Sequence, residues 1–372
     1  MIKTLLVHEP RENNYTMTTT QYTSSFKQFS QYLDITYIKL DDFLYNVKRT
    51  LNLKRSAKGK YIKTTPLHEY KIIIFLYNIN FIILDRSLPS MKKYISDSFF
   101  NIYIIQDEYR CTDVKGKILK DLNVKLAFVN MNEKDAKVVF KNNNTLFKNV
   151  LTGQVPNIDY KIIQIKDRKI DIFYRATPLP YIYGELGQEK VNIGKKMKKY
   201  GIENNLNVDI EWTYEKKIFE EEWYKKLGNS KTTLATYSGS EVFDQEPRNT
   251  EIENKLKKNP NYTYEEAKKD FKIEPMFEAC QVSPKMFEAC TLKTVLIMYE
   301  GKYKDIFRPN IHYIELKKDH SNMDDVKKKI KDDKYLQDMA NRAYNDIIKS
   351  GKYSYESFIK YFDSVVKKEY EK

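Results

Sequence analysis

Ser283-Pro284-Lys285-Met286-Phe287-Glu288-Ala289-Cys290 is the stretch of this 372-residue chain whose residue types and spacing are best suited to holding a ligand. Ser283 stands at a good N-cap position and Pro284 at the first helical position, where its missing N–H costs nothing. The N–H groups and positive dipole end of such a helix favour phosphate, and Lys285 in the first turn adds a full charge. Glu288, one turn further on, can reach past a phosphate to accept hydrogen bonds from sugar hydroxyls. A second reading needs no ligand, because a serine cap and an acid near the helix start are also what the dipole favours structurally. On the residues alone, both readings stand.

Two further constellations sit where strands give way to loops. Gln106-Asp107-Glu108-Tyr109-Arg110 follows the apolar run Asn101–Ile105, and ligands of parallel α/β folds bind outside the carboxyl ends of strands. Adjacent residues on one chain point different ways, so one of Asp107 and Glu108 is expected to face a ligand. A solvated strand-to-loop transition is the plainer alternative. Ser238-Gly239-Ser240 follows Lys231–Tyr237 and offers backbone N–H groups and hydroxyls to an anion.

The elements needed to position these residues alternate along the chain. Strands are expected at 2–7, 35–40, 71–77, 101–105 and 124–129, with helices at 21–33, 90–99 and 115–122 between them. Leu51 to Lys63 reads as a basic loop or helix end. In the second half, strands are expected at 171–174, 208–211, 231–237, 295–299 and 308–316, and helices at 191–200, 219–227, 325–331 and 334–349. The region 176–190, with two Gly and two Pro, reads as a loop of special backbone geometry. Glu251 to Phe271 reads as a charged helical insertion broken at Asn259-Pro260, a candidate mobile or partner-facing element. Tyr355, Phe358, Ile359, Phe362, Val365 and Val366 give the last helix a clean apolar face. This alternation argues for parallel α/β sheets.

Length and composition bound the rest. At 372 residues two cores are expected, and 41% apolar residues exclude a disordered chain. No apolar run reaches membrane-span length, and Glu9 and Arg11 arrive too early for a signal peptide. Cys111, Cys280 and Cys290 are odd in number and lack zinc spacing, so reduced thiols in a cytoplasmic protein are expected. The four histidines show no ligand spacing and read as structural, with His8 after the first strand the best exception. The net charge of +14 admits a nucleic acid or an anionic membrane surface. It is equally explained by A/T-biased codon usage, since the excess is dispersed Lys in a chain rich in Asn, Ile and Tyr. Met276–Cys280 recurs as Met286–Cys290, and only the second copy follows Ser-Pro-Lys.

The ordered motifs resemble those of GT-B glycosyltransferases, in the bacterial branch related to spore-maturation-type enzymes. Ser-Pro-Lys-x-Phe-Glu-Ala at 283–289 is similar to that branch's Ser-Pro-Arg-x-Phe-Glu-Ala, with Lys285 in place of Arg. Gln-Asp-Glu-Tyr at 106–109, Leu151–Pro156, Tyr174-Arg175 with Leu179-Pro180, Gly184 to Lys190, and Ser-Gly-Ser-x-x-Phe-Asp at 238–244 match it in order. The resemblance covers roughly residues 70–372. Where the wider retaining families often carry a second Glu, this chain has Cys280, so the stereochemical outcome stays open. The resemblance implies an α/β GT-B fold: two Rossmann-like domains facing across a cleft, 1–165 for the acceptor and 166–350 for the donor. A C-terminal helix, 351–372, returns to the first domain.

The implied reaction moves a sugar from a nucleotide-sugar donor to a hydroxyl acceptor, as a hexosyltransferase does, without a metal or resident cofactor. In that reading Arg175, Lys190, Lys285 and Ser238, Gly239 and Ser240 hold the diphosphate, because a leaving diphosphate needs its charge neutralised. Glu288 holds the ribose, and Asp107 or Glu108 positions or deprotonates the acceptor. Ion pairing at the surface is the competing reading of Arg175 and Lys190. The rivals are a glycosyltransferase acting on nucleic acid or at a membrane surface, and a non-catalytic GT-B-like binding protein.

Overall fold

The structure, a computed structural model, describes residues 1–9, 17–53, 64–142, 144–243, 248–277 and 280–372. Most of the 51–63 stretch, Glu278, Ala279 and Asp244 therefore lie outside the described residues. The chain divides into two compact units. The first takes the described residues of 1–14 and 23–151 together with 358–372, and the second takes those of 15–22 and 152–357.

The first unit is built on β1 (Ile2–His8), β2 (Leu33–Lys39), β3 (Ile72–Phe75), β4 (Phe100–Ile104), β5 (Leu126–Val129) and β6 (Leu146–Asn149). These pair in parallel in the order β2-β1-β3-β4-β5-β6. All four residues of β3, Ile-Ile-Ile-Phe, are buried, as a parallel strand covered on both faces requires. Helix Leu40–Thr50 begins on the residue after β2 and was not foreseen, and neither was the short, half-polar β6.

The final helix, Tyr355–Tyr370, contributes its residues from Phe358 onward to this first unit. Phe362 stacks on Phe128 at 4.5 Å and meets Phe26 edge-on at 5.1 Å. Asp363 accepts hydrogen bonds from the Ser30 hydroxyl and the Gln31 N–H, both at 2.8 Å. The expected return of the C-terminal helix to the first domain is present.

The second unit is built on β7 (Ile170–Arg175), β8 (Val208–Glu211), β9 (Ser230–Ala235), β10 (Val295–Tyr299) and β11 (Tyr313–Leu316), in the parallel order β11-β10-β9-β7-β8. Ile172, Ile193, Met197, Leu234, Ile297, Ile314 and Val326 make its main core. Two parallel sheets of this kind are Rossmann-like. In each, the strand order reverses once, between β1 and β3 and between β7 and β9. Such switch points are where open α/β sheets bind ligands.

The division falls after Leu151 and not near residue 165, because the intervening segment packs on the second unit. Val155 bridges Ser354, and the Tyr160 ring occupies the space beside Gly228, where an added Cβ would come within 2.6 Å. The charged insertion is two helices, Arg248–Lys258 and Tyr264–Asp270, the second closed by a Thr263–Glu266 capping box. Ile252, Tyr262, Ala267 and Ile273 pack with Ile182 and Val242 into a small core of their own, so the insertion is anchored. Cys111 and Cys280 are half-buried and Cys290 is buried, and burial pushes the Cys290 thiol up to about 12. Among the described residues no helix is long and apolar enough to cross a membrane.

Candidate functional site

A pocket of about 150 Å³ opens at the switch point of the second sheet. It is lined by the ends of two central strands, Tyr174 and Arg175 of β7 with Ala176 just beyond, and Leu234 and Ala235 of β9 with Thr236 just beyond. Thr177 and Leu179 of the following loop, Lys190, Ser283 and Lys285 complete the wall. Three of the cations singled out in the sequence therefore converge on one concavity.

Each arrives by a different local route. Lys285 lies in the first turn of the helix Pro284–Thr291, whose N-cap position is Ser283. The Ser283 hydroxyl makes no capping bond, contrary to the capping expectation, and the residue lines the pocket instead. The Lys285 ammonium donates to the Arg175 carbonyl at 3.1 Å and sits 4.8 Å from the Trp223 ring centroid. Burial of that ammonium pulls its pKa below the ordinary lysine value, although the side chain as a whole stays exposed; Glu288 opposes the shift and Lys217 adds to it.

Lys190 stands on the helix Gly184–Glu203. The stretch 184–190, expected as loop, is the opening of this helix. Gly184 enters at φ +73°, and at Gly187 a Cβ would meet Tyr183 Cβ at 2.7 Å, so glycines let the helix start hard against the preceding turn.

Arg175 ends β7 and is ion-paired to Asp209 Oδ1 at 2.6 Å, with Nη1 donating to the Asp209 carbonyl at 3.0 Å. Its guanidinium lies 5.1 Å from the Phe173 ring. Burial pushes the Asp209 carboxyl up, but bonds from Lys226 and Arg175 outweigh that and hold it below its ordinary value. Arg175 lines the pocket while its charge is already largely balanced.

Glu288 is 5% exposed and accepts from the Trp223 indole N–H at 2.9 Å. It does not line the pocket; it stands one turn behind Lys285 on the same helix face. The Ser238–Ser240 loop is spent differently from what its composition suggests. Ser238 exchanges both backbone hydrogen bonds with Gln281, and Gly239 takes φ +96°. Ser240 is wholly buried, with its hydroxyl donating to the Tyr183 and Val242 carbonyls at 3.2 and 3.0 Å. The hydroxyl of Ser240 and the N–H of Ser238 brace the loop, a correction to their expected anion contact.

In the first unit, the structure separates the two adjacent acids that follow β4. Glu108 is wholly buried, and its Oε1 accepts from the backbone and side-chain nitrogens of Asn130, just past β5. Burial raises its pKa, with the Asn130 N–H pulling the other way. Asp107 is exposed at φ +49°, and the Tyr109 hydroxyl donates to its Oδ1 at 2.7 Å. Lys115, 4% exposed, donates to the carbonyls of Gln106 and Asp107 at 3.2 and 2.6 Å. Asp107 is thus the acid presented to solvent, held in place at both carboxylate and backbone.

Burial lowers Lys115 to about 8, with Glu108 and Asp107 opposing the shift. A lysine whose folded pKa lies below its unfolded value costs stability at pH values under the folded pKa, and the cost fades as pH rises toward the unfolded pKa. Between pH 8 and about 10.5 the wild-type chain should therefore gain on the order of 3 kcal/mol relative to Lys115→Met. Chemical denaturation of both proteins across that range measures this, and a constant gap between them would contradict it.

Sequence reasoning missed Trp223, Asp209 and the Tyr109 hydroxyl. The signal for Trp223 was there to use, since it is one of only two tryptophans in the chain. His8 ends β1 beside the first unit's switch point, packs edge-on to Tyr37 at 5.6 Å, and has its pKa lowered by burial and Lys39. His312 is 3% exposed and within 3.0 Å of Asp346, a structural placement. No metal-binding cluster of His, Cys, Asp or Glu occurs among the described residues.

Two Rossmann-like sheets in tandem, with the last helix returned to the first, define the GT-B fold. Solved structures with this architecture align over nearly the whole chain. Anabaena HepE in complex with UDP has a TM-score of 0.51 at 9% identity, covering 99% of this chain and 100% of that chain. The DNA-modifying β-glucosyltransferase of phage T4 has a TM-score of 0.50 at 12% identity, covering 99% of each. TarM, at a TM-score of 0.44 and 14% identity, matches 79% of this chain, which spans about half (54%) of that longer protein. No family model matches the sequence, and no curated protein matches it. At these identities the likeness is one of fold.

Proposed function

We propose that this chain is a metal-independent glycosyltransferase of the hexosyltransferase type, moving a sugar from a nucleotide-sugar donor to a hydroxyl acceptor. One observation carries the reading: Arg175, Lys190 and Lys285 meet in a pocket at the strand-order reversal of the second sheet, beside a helix N-terminus. That is where an α/β sheet binds phosphate groups, and cations there neutralise a diphosphate as its bond to the sugar breaks. Glu288, behind Lys285, takes the ribose hydroxyls. Asp107 accepts the proton of the acceptor hydroxyl, a role that an exposed, oriented carboxylate suits and a buried one does not.

The neighbours lend support in kind: HepE was solved with UDP and glucose, and the T4 enzyme with uridine diphosphoglucose. The finer likeness to the spore-maturation branch belongs to this proposal, as does the diphosphate role of all three cations. The donor enters as a co-substrate, and the reading assigns no resident cofactor.

A thermal-shift panel of nucleoside diphosphates and nucleotide sugars tests it, on wild type and Glu288→Ala. At a hundred times its dissociation constant a true donor adds about 2.7 kcal/mol to stability. The shift should appear with one nucleotide and vanish in the variant. The responding donor then enters transfer assays with hydroxyl acceptors, duplex DNA among them because of the +14 charge. A folded protein that responds to no nucleotide would refute the proposal and favour a non-catalytic binding module.

A further inference from the structure

We infer that Trp223 is a positioning residue of the donor site, acting through Glu288 and Lys285 together; this rests on the nucleotide-donor reading above. The residue lies on the helix Glu220–Gly228, apart in sequence from every motif named so far. Its indole N–H donates to Glu288 Oε2 at 2.9 Å, and its ring carries the Lys285 ammonium 4.8 Å from the centroid. Phe173, within β7, packs against the same ring at 5.2 Å.

The chemistry of the indole explains why this position takes Trp. The N–H is a donor only, so buried at 8% exposure it needs an acceptor, and the acceptor here is the acid assigned to the ribose. Indole also has the most favourable aromatic face for a cation. One side chain therefore fixes the carboxylate that reads vicinal hydroxyls and the ammonium that reads phosphate. Lys285 and Glu288 stand three residues apart on one helix, where neither could hold the other's rotamer as firmly as a rigid plate lying against both. The ligand class that uses both ends at once is a nucleoside diphosphate. Inorganic pyrophosphate uses only the cationic end.

That difference supplies the test. Calorimetric titration of the full chain with UDP, GDP, ADP and inorganic pyrophosphate is compared for wild type, Trp223→Phe and Trp223→Leu. Phe keeps a ring under Lys285 and removes the N–H. It should weaken the nucleotide that wild type binds by about tenfold, the scale of one hydrogen bond to a charged group, and leave pyrophosphate within about twofold. Leu removes both features and should weaken both ligands. In the Glu288→Leu background, which offers the indole N–H no acceptor, Trp223→Phe should cost little more, because coupled residues are not additive.

Thermal midpoints confirm that each variant is folded, and Trp223→Tyr replaces Phe if that one is not. An unchanged nucleotide affinity in Trp223→Phe, or equal losses on nucleotide and pyrophosphate, overturns the positioning role alone. A wild-type chain that binds no nucleoside diphosphate overturns the donor reading, and this inference with it.

Discussion

Lys285→Ala should weaken nucleoside diphosphate binding by on the order of 10- to 100-fold while leaving the fold intact. A charge-assisted hydrogen bond to phosphate contributes ~1.5–3 kcal/mol, and 1.4 kcal/mol is a factor of ten. The loss should be carried by affinity and not by stability, for structural reasons. Pro284 still opens the helix, and the buried residues Met286, Phe287, Ala289 and Cys290 still hold it. What disappears is the one cation that meets the pocket from the helix N-terminus. Lys285→Arg should retain binding to within about tenfold, because the charge persists although the fork differs in reach and geometry from an ammonium. The resembling segment carries Arg at this place, so that variant also tests the resemblance. Calorimetry on the two variants decides: wild-type affinity in Lys285→Ala would remove Lys285 from the site.

The alternation of strand and helix could be read from the sequence because buried parallel strands are short apolar runs and their helices carry a 3.6-residue stripe. Ile72–Phe75 and Val295–Tyr299 show this plainly. The order of the strands could not, since it depends on which side each crossover takes. Yet that order is what brings Arg175 and Thr236 to one pocket at a reversal. The start of the Pro284–Thr291 helix was legible to the residue because Ser283 and Pro284 mark its cap and first position.

The bracing role of the Ser240 hydroxyl was hidden for a nonlocal reason. It donates to the carbonyl of Tyr183, a residue far away in sequence. Trp223 was passed over because a tryptophan inside an amphipathic helix normally signals packing, and only the fold brings Glu288 to its N–H. Helix Leu40–Thr50 was hidden because it follows β2 with no turn residue between them.

The adjacent acids Asp107 and Glu108 give the other large effect, in opposite currencies. Glu108→Ala should cost roughly 2–4 kcal/mol of stability. It strands two Asn130 nitrogens, and a buried donor that loses its partner costs about 1–3 kcal/mol. Asp107→Asn should stay within about 0.5 kcal/mol, as an exposed isosteric change does, since an amide oxygen can still accept from Tyr109. Its cost should fall on turnover instead, on the order of 100- to 10,000-fold, the range for losing a positioned general base. Which of the two is buried could not be read from the sequence, because Glu108 is held by Asn130, at the exit of the neighbouring strand. Denaturation curves and nucleotide release from the donor, measured on both variants, separate the roles. If Asp107→Asn keeps its turnover, the acceptor proton goes elsewhere.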